Sequence, residues 1–171
     1  MNLGDNSRTT AGRYKINKEL MPRLATMLKD GDEVLYIGTN STWDYKTFFW
    51  NPSKECPFLT IDISEQFSPD IVGNIEEMPH VESGRFSAVI MIGIYEFLNH
   101  PEKAFEEIKR VLRPGGILFV AFPGKGYYND NRGVTPQESL DLLYGMIPSE
   151  MHLLYEGKEV PNSIIVFARK K

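Results

Sequence analysis

Two rhythms of apolar and polar residues run along this chain, and the switches between them mark its elements. From residue 16 to 28 the apolar side chains Ile16, Leu20, Leu24, Met27 and Leu28 recur at helical spacing, which predicts one buried stripe on a helix. Pro22 interrupts the stripe and has no amide proton to give, so the pattern is met if the helix starts near it, with the proline in the first turn. Lys29-Asp30-Gly31-Asp32 reads as a turn. Residues 33–38 then predict a short buried strand ending on Gly38. A second strand is expected over 58–63, apolar with Asp62 near its end, and a brief third over 70–73. Residues 86–93 form a nearly unbroken apolar run, as a strand covered on both faces requires. Pro101 opens an amphipathic helix with Ala104, Phe105, Ile108, Val111 and Leu112 on one face and Glu102, Lys103, Glu106, Lys109 and Arg110 on the other. Pro114-Gly115-Gly116 ends it, and residues 117–122 predict a fifth strand.

Thr135-Pro136-Gln137-Glu138 has the form of a capping box, with proline at the first helical position, and starts a helix to about Tyr144. Residues 151–155 and 163–168 predict two last strands. The link between them is too short for a parallel crossover, so they form an antiparallel hairpin. Strand and helix alternate over most of the length, which predicts an α/β fold: a Rossmann-like, doubly wound, mostly parallel seven-stranded sheet with a terminal antiparallel hairpin. The chain of 171 residues fits one domain, with residues 1–15 expected to be loose or to serve as a lid.

Composition narrows the function classes. Apolar residues make up 42% and charged residues 25%, the balance of a globular protein. A net charge of −4 gives no footprint for nucleic acid or an anionic membrane, and Arg169-Lys170-Lys171 is too short a basic run to change that. Cys56 is the single cysteine, so neither an internal disulfide nor a cysteine metal cluster is expected. No apolar run approaches the roughly 20 residues that span a bilayer. The polar start, residues 1–13, does not resemble a secretion signal, and a cytosolic setting is expected.

In a doubly wound sheet a ligand lies at the carboxyl ends of the strands, near the point where strand order reverses. Gly38-Thr39-Asn40-Ser41-Thr42 after the first strand is the first candidate, since glycine admits close backbone approach and the polar residues offer donors. It is neither a GxGxxG nor a P-loop, and a lone glycine after a strand is more often just a turn. Asp62 stands where a carboxylate accepts the hydroxyls of a ribose, or where it bonds local backbone amides. Asn74, following the third strand with Ile75 and Glu76, suits an adenine edge or a turn; Gly93 suits the amino-acid end of a cofactor or a tight bend. His80, His100 and His152 match no metal spacing. Tyr127, Tyr128, Asp130 and Arg132 form an aromatic and charged loop after the fifth strand, placed either to bind substrate or to seal the sheet edge.

Taken together, residues 86–90, the run Ile94-Tyr95-Glu96-Phe97-Leu98-Asn99-His100-Pro101-Glu102-Lys103-Ala104, and Arg110-Val111-Leu112-Arg113-Pro114-Gly115-Gly116 resemble the class I S-adenosylmethionine-dependent methyltransferases, of the type 11 kind. The likeness covers residues 33–123 and continues more loosely to the end. The resemblance implies that Gly38, Thr39, Asn40 and Ser41 hold the methionine part, Asp62 the ribose, and Asn74 with Ile75 the adenine, with Ile92 and Gly93 flanking the cofactor and Ile63 also among the cofactor-binding residues. S-adenosylmethionine would be the cofactor and S-adenosylhomocysteine the product. Asp70-Ile71-Val72-Gly73-Asn74, the short second crossover and the loop 127–136 look like a subgroup found beside sugar- and envelope-modifying enzymes. Against the family pattern, Tyr36 stands at a usually acidic position, Asn40 and Thr42 replace glycines, Asn74 stands where aspartate is common, and Phe97 replaces a frequent histidine.

The function this implies is methyl transfer to a small-molecule or sugar-type acceptor, the nucleophile held in line with the sulfonium methyl. Tyr95, Tyr128, Asp130 and Arg132 are the substrate-side candidates, with Tyr95, Glu96, Tyr128 and Asp130 within reach as a base; the residues do not single out one catalytic group. Two rival readings differ in class. One is a non-catalytic relative that keeps the fold as a binding or regulatory protein, suggested by the altered glycine loop. The other is a nicotinamide-dependent oxidoreductase, which the single glycine and the terminal hairpin disfavour. Oligomeric state is not legible in the residues.

Overall fold

The computed structural model describes residues 14–39, 56–126, 132–155, 157 and 159–171. Within these, the first helical segment has two parts: a π-helical turn, Ile16–Leu20, runs directly into helix α1, Met21–Met27. The amide of Met21 donates to the carbonyl of Ile16, five residues back. Pro22, in the first turn of α1, cannot donate to a carbonyl behind it, so the ladder changes register there. The expected start near Pro22 is therefore the start of the α-helical part only. Tyr14 and Lys15 are helical, and residues 1–13 of the stretch expected to be loose or a lid lie outside the described residues.

The strands are β1 Val34–Ile37, β2 Phe58–Asp62, β3 Ile71–Val72, β4 Phe86–Ile92, β5 Leu112–Pro123, β6 Met146–Leu154 and β7 Ser163–Lys170. They form one seven-stranded sheet in the order β3-β2-β1-β4-β5-β7-β6. β1 pairs in parallel with β2 and β4, β2 with β3, and β4 with β5. β7 lies antiparallel between β5 and β6. The fold class is as expected, including the reversed final pair.

The near-continuous apolar strands are explained by the two layers they serve. Leu35 and Ile37, Val89 and Met91, and Leu118 and Val120 face one way, into a core shared with helix α2, Pro101–Val111, through Ala104, Phe105, Ile108 and Val111. Val34 and Tyr36, Ala88 and Ile90, and Ile117 and Phe119 face the other way, onto Leu20, Met21, Leu24 and Leu28 of the first helical segment. With side chains alternating along each strand, both faces must be apolar, and the period-2 signal disappears from the sequence.

Two boundaries differ from the sequence expectation. β5 begins at Leu112, not 117, because Leu112 pairs with Phe86 across a register shift that takes up the Pro114-Gly115-Gly116 turn. A Cβ on Gly116 would come within 2.8 Å of the Arg113 carbonyl oxygen, so this fold-back needs glycine. β6 begins at Met146, not 151, and carries Pro148 beside a bulge before Glu150. It is an edge strand, where a missing amide leaves no partner unsatisfied. Helix α3, Pro136–Leu142, carries the predicted capping box: Thr135 Oγ1 accepts from the Glu138 amide at 3.1 Å while Glu138 Oε2 accepts from the Thr135 amide at 2.8 Å.

Candidate functional site

β1 to β4 point their carboxyl ends the same way, and just beyond them, with the end of β5, lies a cavity of about 540 Å³. Its position follows from the sheet: β1 stands between β2 and β4, the place where strand order reverses. Gly38, Asp62, Ile63, Asn74, Ile75, Ile92 and Gly93, all expected at the site, line this cavity.

The end of β1 is a close approach rather than a plain turn. Gly38 has φ +87°, its amide donates to the Ile61 carbonyl at 2.8 Å, and a Cβ there would sit 2.3 Å from Ile94 Cδ1. Ile94 itself lines the cavity. Gly93, at the end of β4, has φ +65° with open space on the side where a Cβ would stand. Two conformations disfavoured for other residues thus face the cavity from adjacent strands.

Asp62 combines both readings of it. Its Oδ2 accepts from the Thr39 amide at 2.7 Å and the Thr39 hydroxyl at 3.2 Å, and its Oδ1 accepts from the Ser64 amide at 2.9 Å. A carboxylate offers about four acceptor positions, so three protein donors leave one on this cavity-lining residue. Thr39, also expected at the site, does not line the cavity; it bonds Asp62, which does. Asn74 likewise does local work, its Oδ1 accepting from the Glu76 amide at 3.0 Å, while lining the cavity. Glu76 reaches across to the loop after β4, where Oε1 accepts from the amides of Asn99 at 2.6 Å and His100 at 3.0 Å.

Behind these residues a buttress fixes the loop after β3. Arg110 of α2 donates to the carbonyls of Met78 at 2.6 Å and Val81 at 2.7 Å, and Glu107 accepts from the Met78 amide at 2.6 Å. The Arg110 Nε donates to Glu107 at 2.7 Å. That hydrogen bond holds the Glu107 carboxyl below its ordinary value, burial opposing and the Met78 amide helping.

Tyr95 does not line the cavity. Its ring meets Phe122 edge-on at 5.3 Å between centroids, and burial, with help from the Glu138 and Glu102 carboxylates, pushes its phenol above the ordinary value. Arg132 is exposed and is also not in the lining. Asn40, Ser41, Tyr128 and Asp130 lie outside the described residues, as does Tyr127.

The cavity also has walls the sequence did not suggest. Ile16 and Asn17 come from the π-helical turn, Phe67 from the 3₁₀ turn Glu65–Phe67, and Ser163 from the start of β7. Tyr36, at the usually acidic position of the resembled family, is 2% exposed, stacks on Phe58 at 5.8 Å and lines the cavity. Ile63 and Phe97 are 72% and 69% exposed at its mouth. No local signal distinguishes Asn17 or Ser163, because contacts across the fold bring them in.

A sheet in this order, its β7 reversed and its cavity at the β1 switch point, defines the class I methyltransferase fold; the reversed strand separates it from the nicotinamide-binding arrangement. The family described as methyltransferase domain matches residues 52–120. Over this segment, about two fifths of the chain, the sequence is similar to that family, and the fold is the one seen in S-adenosylmethionine-dependent methyltransferases. Human thiol S-methyltransferase TMT1B is 34% identical over 73 residues, which cover 40% of this chain and 30% of that protein. The match thus spans less than a third of the relative. Among solved structures, N-methyltransferase NodS from Bradyrhizobium japonicum in complex with S-adenosyl-L-homocysteine aligns with a TM-score of 0.72 at 14% identity, over 98% of this chain and 90% of that one. The [4+2]-cyclase SpnF aligns with a TM-score of 0.68 at 16% identity, over 88% and 79%. At such identities the likeness is one of fold, and the fold hosts more than one chemistry.

Proposed function

We propose that this protein is an S-adenosylmethionine-dependent methyltransferase acting on a small molecule. The observation that carries the reading is the pairing of Gly38 with Asp62 at the switch point: a position where a Cβ would strike Ile94, beside a cavity-lining carboxylate that the protein's own donors do not saturate. These residues fit the cofactor. Asp62 would take a ribose hydroxyl, Asn74 and Ile75 would border the adenine, and Gly38 and Gly93 would leave room for the methionine part. Thr39 joins them through its bonds to Asp62. The cofactor supplies an activated methyl group on positive sulfur, so the chain's own task is to hold the acceptor in line and keep water out. Ile92, Ala121 and Phe122 give that part of the cavity an apolar wall. No helix among the described residues is long and apolar enough to cross a membrane. The reading includes a cytosolic setting.

A second reading, a non-catalytic binding protein of the same fold, is favoured by the three protein donors already on Asp62. Calorimetric titration with S-adenosylhomocysteine separates the two. Micromolar binding that weakens tenfold or more in Asp62→Ala, about 1.4 kcal/mol, supports the methyltransferase. No binding up to millimolar ligand would leave the binding protein as the better account.

A further inference from the structure

The ionisable side chains that line the cavity share one sign. Asp62, Glu76 and Glu96 are carboxylates, Tyr36 contributes a phenol, and among the described lining residues there is no lysine, arginine, histidine or cysteine. The Oε2 of Glu96 is shielded from solvent. Lys103 and Arg110 stand in the neighbouring surface groove instead, among Glu77, Glu102, Glu106 and Glu107, and Arg110 is committed to Glu107. Apart from these groups the walls are largely apolar: Ile92, Ile94, Leu98, Ala121, Phe122 and Phe97.

We propose that the methyl acceptor is a small amine with an apolar body, taken into this carboxylate-lined cavity in preference to carboxylic acids, alcohols and thiols. The inference rests on the methyltransferase reading and gives it a substrate class.

The argument is one of charge. A negative, partly desolvated cavity repels anions and attracts cations. A carboxylate acceptor would have to enter as an anion. An alcohol or thiol reacts well only after losing a proton, and nearby carboxylates raise the cost of forming that anion. An amine enters as its ammonium and gives one proton to a carboxylate of the cavity, which passes it to water. The nitrogen lone pair then makes the new C–N bond while the methyl–sulfur bond breaks, its electron pair passing to sulfur. One positive charge leaves sulfur and appears on nitrogen, and the methylated amine departs as its ammonium. The acceptor thus enters and leaves as a cation, with no step in which it must become an anion. The apolar walls then bind the body of the amine, and the exposed Phe97 ring among the lining residues adds an aromatic contact.

The test uses the full chain saturated with S-adenosylhomocysteine, whose own binding is measured first. Phenethylamine, 3-phenylpropanoate, 2-phenylethanol and 2-phenylethanethiol are then titrated in calorimetrically, and each is incubated with S-adenosylmethionine and analysed by mass spectrometry. The expected result is phenethylamine binding at least tenfold more tightly than 3-phenylpropanoate and alone gaining 14 mass units (roughly one methylene). Glu96→Gln should narrow the amine-to-carboxylate preference at least threefold. Equal or tighter binding of 3-phenylpropanoate, methylation of the thiol or alcohol but not the amine, a preference unmoved in Glu96→Gln, or binding of none of the four to the S-adenosylhomocysteine complex would each overturn the amine assignment while leaving the methyltransferase standing. Failure of S-adenosylhomocysteine itself to bind would instead remove the reading on which the inference rests.

Discussion

The Thr39 amide donates to a carboxylate oxygen of Asp62 at 2.7 Å, joining the ends of β1 and β2 across 23 residues of chain. The Thr39 hydroxyl reaches the same oxygen at 3.2 Å. One carboxylate thus both ties two strand ends and faces the cavity, so its two roles compete for the same lone pairs.

That competition can be read by substitution. Thr39→Val removes the hydroxyl donor but keeps the amide bond, and frees an acceptor position on Asp62. S-adenosylhomocysteine should bind Thr39→Val at least as tightly as the original chain. Asp62→Asn, left with a single acceptor oxygen for the amides of Thr39 and Ser64, should lose stability by about 1–3 kcal/mol as well as affinity. Weaker binding in Thr39→Val by isothermal titration would show that the hydroxyl serves the ligand directly.

Gly38→Ala tests the close approach at the end of β1. The added Cβ meets Ile94 Cδ1 at 2.3 Å with φ at +87°, so both space and backbone oppose it. The backbone part alone costs about 1–2 kcal/mol. Gly38→Ala/Ile94→Ala relieves the clash but not the dihedral, and should recover only part of the melting temperature lost. Full recovery would place the whole effect in the side chain.

Acid should weaken the fold through two carboxylates. Burial raises the Asp32 carboxyl, but the Lys29 amide, the Ser87 hydroxyl and the Arg113 guanidinium outweigh it and hold it below its ordinary 3.8. Glu107 is held below its ordinary 4.5, chiefly by Arg110. A carboxyl lowered in the folded state stabilises the fold above its unfolded value, and that contribution disappears as pH falls through the folded value. Glu107→Gln should therefore melt lower than the original at neutral pH. The gap should shrink as pH drops below 4.5. Thermal melts across the acid range check this; a constant gap would mean that packing, not charge, makes the difference.

Thr135→Ala removes the hydroxyl that caps α3 and should cost about 0.5–2 kcal/mol. Thr135→Ser should restore most of it, since Ser139, Leu143 and the reciprocal Glu138 contact are untouched. Denaturant unfolding distinguishes the pair.

How much of this was legible in the residues depends on how local each feature is. Residues 86–93 and the helix opened by Pro101 carry their signal in side-chain period alone, and both stand where expected. The capping box at Thr135 is four residues long and self-contained, so it too could be read directly. The π-helical turn could not, because Pro22 shows that a hydrogen bond is lost without showing which register replaces it. Pro148 hid the start of β6 for a similar reason: proline argues against a strand until it is known that the strand lies on an edge. At the site, Gly38, Asp62, Ile63, Asn74, Ile75, Ile92 and Gly93 reach the cavity because strand ends are predictable from strands. Tyr95 does not, since a short 3₁₀ turn, Tyr95–Phe97, sends its ring onto Phe122 while Glu96 and Phe97 line the cavity. Asn17 and Ser163 become wall residues only through contacts across the fold.

The placing of β7 has a consequence for synthesis. It follows both β5 and β6 in the chain, yet it lies between them, with Ser163 paired to Pro123 and present in the cavity wall. Until that strand emerges from the ribosome, β5 has an unpaired side and the pocket lacks one wall. The nascent chain can assemble its parallel half early but cannot close its cavity before β7 is free, so an arrest between α3 and β7 would leave an open sheet edge where association with other chains competes with completion.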